Sequence, residues 1–158
     1  MSDHKKKDRL FFFPAFVIWI FLLVVTSFGN IQGPFFSLSS PMNILGVLIF
    51  IVGLIITVNA QMTLKLNYAS TLRIREGHQL ITHGIYKHVR HPVYSGVILR
   101  AFAIPIYATS LLGFLFALTG IPLFNYRIGV EEKMLIKEFG DEYLEYTKAT
   151  WKLFPYIY

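Results

Sequence analysis

Residues Met42–Leu64 read MNILGVLIFIVGLIITVNAQMTL, a stretch without a single charged side chain. A helix that crosses the hydrocarbon core of a bilayer needs about 20 consecutive apolar residues, so this stretch is long enough to span a membrane. A second uncharged stretch, Leu10–Phe28, precedes it and meets the same requirement. These two stretches indicate an integral membrane protein built from α-helices.

The apolar sequence Pro92–Tyr126 supplies the remaining membrane segments, and Arg100 is its only charged residue. It is too long for one membrane-spanning helix, and the small polar pair Thr109-Ser110 breaks the apolar pattern near its middle. We therefore predict an all-α integral membrane protein with four transmembrane helices, followed by amphipathic C-terminal helices in the cytoplasm. The predicted spans are 10–28, 42–64, 92–108 and 110–126, within a single membrane domain of residues 1–158.

The composition agrees with this class of protein. Of the 158 residues, 54% are hydrophobic and 15% are charged, whereas soluble domains carry about 25% charged residues. The chain has no cysteine, which excludes disulfides, thiolate chemistry and Cys-ligated metals. The net charge of +6 is not arranged as a basic strip interleaved with exposed aromatic residues, so no nucleic-acid partner is expected.

Lysine and arginine fall into three clusters, Lys5–Arg9, Lys65–Arg90 and Arg127–Lys152. Because positively charged loops stay preferentially in the cytoplasm, the pattern predicts a multi-pass protein with both termini on that side. Segments 67–91 and 127–158 would then form one cytoplasmic surface, and the N-terminal lysines would contact anionic membrane lipids. The first apolar stretch is expected to be a retained span, because it is longer than the hydrophobic part of a signal peptide.

The pentapeptide Arg90-His91-Pro92-Val93-Tyr94 opens the third predicted span. Pro92 has a fixed φ and no backbone N–H, so it suits the first turn of a helix. Arg90 and His91 would then lie at a helix N-terminus, where free N–H groups and the helix dipole already favour anions. We interpret this turn as an anion-binding site at the membrane surface. The alternative is that Arg90 extends its side chain to lipid phosphates.

A pair of carboxylates, Glu131 and Glu132, follows the last predicted span. On a 3.6-residue helix Glu132 lies within an apolar face, where a carboxylate is costly unless it meets a cation or a bound ligand. Glu132 is therefore expected either to pair with Arg90 or Arg100 and hold the helices together, or to face a cationic ligand. An anion site beside a cation site would suit a zwitterionic molecule with an additional positive charge.

Arg100 is an isolated cation inside an apolar span. Charges within membrane segments usually face the protein interior or a cavity, so Arg100 is expected to contact either Glu132 or an anionic lipid headgroup. No metal site is predicted. There is no HExxH motif, and the spacing of the histidines at positions 78, 83, 88 and 91 puts them on different helical faces.

Two longer stretches resemble the signature of the isoprenylcysteine carboxyl methyltransferase and phospholipid methyltransferase superfamily. The first is Leu80–Gly96, LITHGIYKHVRHPVYSG. The second begins at Arg127, continues through Glu131-Glu132 and ends with Phe139–Tyr146, FGDEYLEY. The resemblance covers residues 80–147 in the same order and spacing, and the first two predicted spans contribute little to it.

This resemblance implies an integral-membrane methyltransferase that uses S-adenosylmethionine and acts on a lipophilic acceptor at the cytoplasmic face. In the family, the Arg-His-Pro turn and the Glu-Glu pair hold the cofactor, which agrees with an anion site beside a cation site. Catalytic roles are then implied for Arg90, Glu131 and Glu132. Cofactor contacts are expected from Gly84, Tyr86, His91, Tyr94 and Glu132. The candidates for substrate contacts are Arg127 and, because of its place inside a span, Arg100.

The methyl acceptor is left open between an isoprenylcysteine-type carboxylate, which needs no general base, and a phospholipid amine, which does. The partner would be a lipophilic small molecule or a lipidated protein, and no oligomeric state is predicted. A second possible function is that of an NADPH-dependent sterol-type membrane reductase, a family with a similar Arg-His-Pro turn that usually has Asn where Val93 stands here. A third is a membrane scaffold, in which Glu132 and Arg90 would form salt bridges only.

Overall fold

A computed structural model describes residues 12–29, 40–64 and 80–157, and this part of the chain is helical. Its α-helices, numbered in chain order, are α1 Phe13–Phe28, α2 Pro41–Leu64, α3 Pro92–Tyr107, α4 Leu111–Leu118, α5 Gly120–Phe139 and α6 Asp141–Ala149. A short 3₁₀ helix, Gly84–Lys87, precedes α3. The extended contact within the described ranges is a single parallel bridge between Val89 and Trp151.

The helices α1, α2 and α3 agree with the stretches predicted from the uncharged sequence, apart from Leu10 and Phe11, which lie outside the described residues. The predicted turn near Thr109-Ser110 is also confirmed. Thr109 has a positive φ of 51°, and the Ser110 side chain caps α4 by accepting a hydrogen bond from the Gly113 amide at 3.1 Å. By length and composition, α2 and the combined stretch Leu111–Phe139 are able to cross a membrane, while α1 and α3 are shorter apolar helices.

The predicted end of the last span, residue 126, lies within a helix, and the amphipathic stretch that was expected after it belongs to the same helix. α5 continues from the apolar residue Gly120 through Tyr126 into the amphipathic stretch that ends at Phe139, and only Thr119 separates it from α4. Pro122 lies in the first turn of α5, where a missing N–H costs no helical hydrogen bond. No residue between Pro122 and Phe139 stops a helix. Gly140, with a φ of 54°, ends α5 as the sequence suggested.

A small apolar core joins α1 to α3, α4 and α5. Its buried members are Trp19, Leu23, Ala101, Ala117 and Phe124. The indole N–H of Trp19 donates to the Thr119 hydroxyl at 2.9 Å, at the point between α4 and α5. This contact satisfies the polar edge of a buried aromatic ring and fixes the direction in which α5 leaves the core.

The two central helices, α2 and α3, pack closely because glycines face each other across their seam. A Cβ atom on Gly53 would lie 2.7 Å from the Gly96 carbonyl oxygen, and one on Gly96 would overlap the Thr57 hydroxyl. Small residues allow membrane helices to approach in this way and gain van der Waals contact. The seam matters for the site because α3 carries the Arg-His-Pro turn at its N-terminus.

We predict that Gly96→Ala destabilises the protein by about 1–3 kcal/mol, the usual cost of inserting a methyl group into a close-packed region. The new Cβ would lie against Thr57 Oγ1 and 2.5 Å from the Gly53 carbonyl oxygen, so the backbones must separate. Gly129→Ala is the matched control, because a Cβ there meets no atom within 4 Å. Thermal unfolding of the detergent-solubilised protein should show the loss at Gly96 and none at Gly129. Equal melting temperatures for the two variants would contradict close packing at the seam.

Candidate functional site

The turn before α3 is held through backbone hydrogen bonds by the C-terminal tail, residues 150–157, which follows α6. The Arg90 amide donates to the Trp151 carbonyl at 2.9 Å, and the Trp151 amide donates to the His88 carbonyl at 2.9 Å. The His91 amide donates to the Lys152 carbonyl at 3.1 Å. These bonds pair an irregular segment with a second irregular segment, so the positions of Arg90 and His91 are set before their side chains make any contact.

Pro92 is the first residue of α3, as the sequence predicted, and His91 is the residue that caps it. The His91 carbonyl accepts the first hydrogen bond of the helix, from the Ser95 amide at 3.2 Å. The Ser95 hydroxyl donates to the Leu153 carbonyl, which ties the first turn of α3 to the tail as well. His91 and Ser95 are both buried.

The side chains of Arg90 and His91 converge on Glu132 of α5. Arg90 Nε donates to Glu132 Oε1 at 2.8 Å, and His91 Nε2 lies 3.1 Å from the same oxygen. Arg90 Nη1 also donates to the Thr150 carbonyl at 2.8 Å. The side chains are 15%, 3% and 20% exposed for Arg90, His91 and Glu132, so this cluster is shielded from water without being sealed.

Glu132 is an anion throughout the physiological range. Partial burial raises the pKa of its carboxyl, but the hydrogen bonds from His91 and Arg90 and their charges outweigh burial and lower the pKa from 4.5 to about 2. Because the pKa in the folded state lies below the ordinary value, the cluster stabilises the fold fully above pH 4.5 and loses that contribution as the pH falls towards 2.

The anion at the start of α3 is therefore a carboxylate of the protein itself. Arg90 contacts Glu132 and the Thr150 carbonyl. Binding of a ligand anion at this turn stays a prediction. Of the two arginines suggested as partners of Glu132, Arg90 is the one that pairs. Arg100 instead donates to the Gly96 carbonyl and the Thr57 hydroxyl, each at 3.2 Å, on the α2 side of α3.

Next to this cluster, Tyr94 links α3 to the first carboxylate of the pair. The Tyr94 hydroxyl donates to Glu131 Oε2 at 2.7 Å, and the guanidinium of Arg127 lies close to the same hydroxyl. Arg127 is buried and also stacks over the Phe12 ring, 4.7 Å from its centroid. The structure thus brings Tyr94, Glu131 and Arg127 into one group beside the Arg90–His91–Glu132 cluster.

Gly84 and Tyr86 lie in the 3₁₀ helix that precedes α3, and their roles as cofactor contacts stay predictions. Gly84 has a positive φ of 62°, and a Cβ there would lie 3.1 Å from Thr63 at the end of α2. The backbone at Gly84 requires a glycine, because a larger residue would be strained at this φ where the 3₁₀ helix lies against the end of α2. The Tyr86 ring is buried, and its carbonyl accepts a hydrogen bond from the Tyr146 hydroxyl of α6 at 2.7 Å. Tyr86 therefore connects the turn to α6.

Tyr143 lies beside the cluster and was not among the residues predicted from the sequence. Its side chain is 1% exposed, and its hydroxyl has no hydrogen-bond partner among the described residues. Burial raises the pKa of Tyr143, and the charges of Glu132, Arg90 and Glu131 act on it, so the hydroxyl lies near the cluster as a neutral phenol. A signal was present in the sequence, since Tyr143 and Tyr146 are three positions apart and share one face of α6.

Comparison with known proteins gives a consistent result. A family model described as the isoprenylcysteine carboxyl methyltransferase (ICMT) family matches residues 45–137. The chain belongs to this family. A probable protein-S-isoprenylcysteine O-methyltransferase from Oryza sativa subsp. indica is 34% identical over 115 residues, which are 71% of this chain and 60% of the relative.

Two further similarities concern a solved structure and a relative with a different name. A solved structure of the eukaryotic intramembrane Ras methyltransferase ICMT matches with a TM-score of 0.78 and 26% identity, over 91% of this chain and 53% of that chain. Methanethiol S-methyltransferase 1 from Bradyrhizobium diazoefficiens is 42% identical over 72 residues, 46% of this chain and 25% of the relative. The resemblance seen in the sequence is thus confirmed. The predicted fold class, an all-α membrane protein, is confirmed as well. It spans about 60% of the length of the rice relative.

We predict that Glu132→Gln lowers the free energy of unfolding by about 1–3 kcal/mol, because a hydrogen bond to a charged group contributes about that much. The neutral amide would leave Arg90 and His91 without their counter-charge in a partly buried place. Glu145→Gln is the control, since the Lys148–Glu145 pair has a similarly short distance, 2.7 Å against 2.8 Å for Arg90–Glu132, but side chains that are 71% and 72% exposed. Unfolding by heat should distinguish the two variants. A loss at Glu145 as large as that at Glu132 would argue against a structural role for the cluster.

The two tyrosines of α6 should respond in opposite directions to removal of the hydroxyl. Tyr146→Phe leaves the Tyr86 carbonyl without its donor and should cost about 1–3 kcal/mol. Tyr143→Phe removes a buried hydroxyl that has no partner among the described residues, so the ligand-free protein should be as stable as the wild type or more stable. The measurement is again the melting temperature, without any added ligand. A destabilised Tyr143→Phe variant would mean that its hydroxyl is satisfied, for instance by a buried water.

Proposed function

We propose that the chain is an S-adenosylmethionine-dependent methyltransferase that acts on a lipophilic acceptor at the cytoplasmic face of a membrane. One observation carries the proposal: in a member of the ICMT family, the Arg-His-Pro turn and the Glu-Glu pair meet in space, through Arg90, His91 and Glu132. The positive and negative groups that a zwitterionic cofactor requires are thus within one small region.

The residues present suit S-adenosylmethionine. Glu132 uses one oxygen, Oε1, for both Arg90 and His91, and its Oε2 accepts no hydrogen bond from a described residue. Among the described residues, Glu131 likewise uses only Oε2, towards Tyr94. Two carboxylate oxygens and the Tyr143 hydroxyl are thus available to an ammonium, a sulfonium or another polar group of the cofactor. This is the property expected of a site that is completed by a ligand.

In this proposal the bound cofactor supplies an electrophilic methyl group on a sulfonium. Arg90, Glu131 and Glu132 are proposed to be the catalytic residues, with His91, Tyr94 and Glu132 in contact with the cofactor. Gly84 and Tyr86, also expected to be cofactor contacts, would act by shaping the turn before α3. Arg127 remains the candidate for a substrate contact, because it is buried next to Tyr94.

The surroundings of the two carboxylates support a different proposed role for each. A pKa of about 2 makes the Glu132 carboxylate a weak base, so Glu132 would hold positive charge on the cofactor rather than accept a proton. Glu131 receives its hydrogen bond from a neutral phenol and would be the base if the acceptor were an amine. An acceptor carboxylate would need no base, and positioning could then provide a large part of the rate enhancement.

The proposed topology has four spans, with both termini and the cluster in the cytoplasm, in one domain of residues 1–158. The contacts support this arrangement. The Arg90–Glu132 pair puts the start of α3 beside the polar half of α5, and Gly84 lies against Thr63 at the end of α2. These three helix ends therefore face the same side, where the sequence is rich in lysine and arginine.

The nature of the acceptor is proposed at the level of its class. Relatives named for protein isoprenylcysteine favour a thioether-linked lipid with a carboxylate, on a small molecule or a lipidated protein. The relative named for methanethiol indicates that related chains act on other nucleophiles, so a phospholipid amine is retained as the second acceptor. Membership in the ICMT family favours a methyltransferase over the sterol-type reductase with which the Arg-His-Pro turn is also compatible.

Binding of S-adenosylhomocysteine, the demethylated product, to the purified full-length chain tests the proposal. Isothermal titration should show saturable binding by the wild type. Tyr143→Phe should weaken it about 10-fold or less, and Glu132→Gln by about 10- to 100-fold, the equivalent of one neutral and one charged hydrogen bond. Glu138→Gln, an exposed position on the same helix, controls for the loss of one negative charge.

The stability expected of the Tyr143→Phe variant allows loss of binding to be told apart from loss of the fold. Because Tyr143→Phe is expected to leave the ligand-free protein intact, weaker binding by this variant reports on the site and not on the fold. Absence of binding by folded wild-type protein would overturn the proposal, and NADPH would then be the next ligand to titrate. Equal losses in Glu132→Gln and Glu138→Gln would show that overall charge, and not the cluster, governs binding.

A further inference from the structure

Arg100 is the one strongly charged residue in the apolar part of the described helices. The sequences of α1, α2 and α4 contain no Asp, Glu, Lys or Arg, and neither does the stretch from Gly120 to Tyr126 at the start of α5. Within α3 all other side chains are uncharged as well. A guanidinium in such surroundings is costly unless an anion accompanies it.

The contacts of Arg100 do not neutralise its charge. Its Nε donates to the Gly96 carbonyl and its Nη2 to the Thr57 hydroxyl, each at 3.2 Å. Both acceptors are neutral, and the Thr57 hydroxyl in turn donates to the Gly53 carbonyl at 2.9 Å. The ion pairs between described residues involve Arg90, His91 and Lys148, so Arg100 has no carboxylate beside it there. A guanidinium has five N–H donors, and two of them are used in hydrogen bonds to described residues.

The direction of the side chain puts the guanidinium within reach of the membrane surface. Its bond to Gly96 shows that it points one turn back towards the start of α3. Gly96 is four residues after Pro92, so that carbonyl lies about 6 Å along the axis from the end of the helix that carries the polar cluster. Arg100 itself is half-buried on the α2 side of α3, separate from the face that carries Tyr94 towards α5.

The seam between α2 and α3 is built around this side chain. The Cγ of Arg100 lies 3.0 Å from where a Cβ of Gly53 would be, so the absence of a side chain at Gly53 makes room for the arginine stem. The buried Thr57 then holds one amino group of the fork in a fixed direction. A guanidinium with a fixed orientation and free donors is suited to bind an oxyanion by two hydrogen bonds.

We propose that Arg100 and Thr57 form a binding site for the oxyanion of an amphiphile, a phosphate or a carboxylate, that enters from the bilayer at the α2–α3 seam. The site is distinct from the cluster around Glu132 and does not depend on the cofactor. Two sources carry this chemistry: an anionic phospholipid headgroup, and a free lipid with a carboxylate. The apolar tail of either would remain among the exposed apolar residues of α2 that flank the seam, such as Phe50 and Leu54.

The test is the melting temperature of the full chain in a neutral detergent, with four amphiphiles added in turn and no cofactor present. Phosphatidylglycerol and oleate carry an oxyanion, and phosphatidylcholine and oleyl alcohol are their controls without net charge. At least one anionic amphiphile should raise the melting temperature of the wild type well above the effect of its control. The shift should be lost in Arg100→Met and largely kept in Arg100→Lys. Lys133→Met, an exposed position on α5, should shift as the wild type does.

The possible outcomes identify the source of the oxyanion and show when the proposal fails. A shift with phosphatidylglycerol alone identifies a headgroup phosphate, and a shift with oleate alone identifies a lipid carboxylate. If Arg100→Met does not fold, Arg100→Gln takes its place with the same expectation. An equal shift in wild type and in the uncharged variant, or no shift with any anionic amphiphile, would overturn the proposal. Because S-adenosylhomocysteine is absent, neither result bears on the methyltransferase assignment.

Discussion

The shared contact of Arg90 and His91 with one oxygen of Glu132 is the interaction on which the rest of the site depends. It joins the start of α3 to the polar half of α5 across the polar end of the bundle. A carboxylate inside an apolar helix face would otherwise destabilise α5, and the Arg90 cation would be unfavourable at a helix N-terminus. Each group is acceptable in its position because the others are there, so the three residues act as a unit.

The C-terminal tail fixes the positions of Arg90 and His91 in this unit. Backbone bonds from Trp151 and Lys152 fix the turn before α3, and the Thr150 carbonyl takes a hydrogen bond from Arg90 directly. Side chains that project from a fixed turn lose less freedom when they form an ion pair than side chains on a mobile loop. A segment with no regular structure of its own is therefore responsible for the rigidity of the most polar region of the molecule.

Much of the helical fold and part of the site could be predicted from the sequence, because the length of an uncharged run and the conformation of proline are local properties. The limits of α2 and the start of α3 at Pro92 follow from them, and the partner of Glu132 was one of two that charge balance allowed. The role of the tail was not predictable, since backbone hydrogen bonds leave no mark on residue types. Tyr143 was missed for a similar reason: only the packing of α6 shows that its hydroxyl has no described partner.

The bond between Arg90 and Thr150 joins positions that are 60 residues apart in the chain. Because Thr150 comes after the end of α5, translation adds the partner of the Arg-His-Pro turn only after the residues of α1 to α5. The turn cannot form this bond until that segment has been made. The polar centre is thus completed only by the last part of the chain described here.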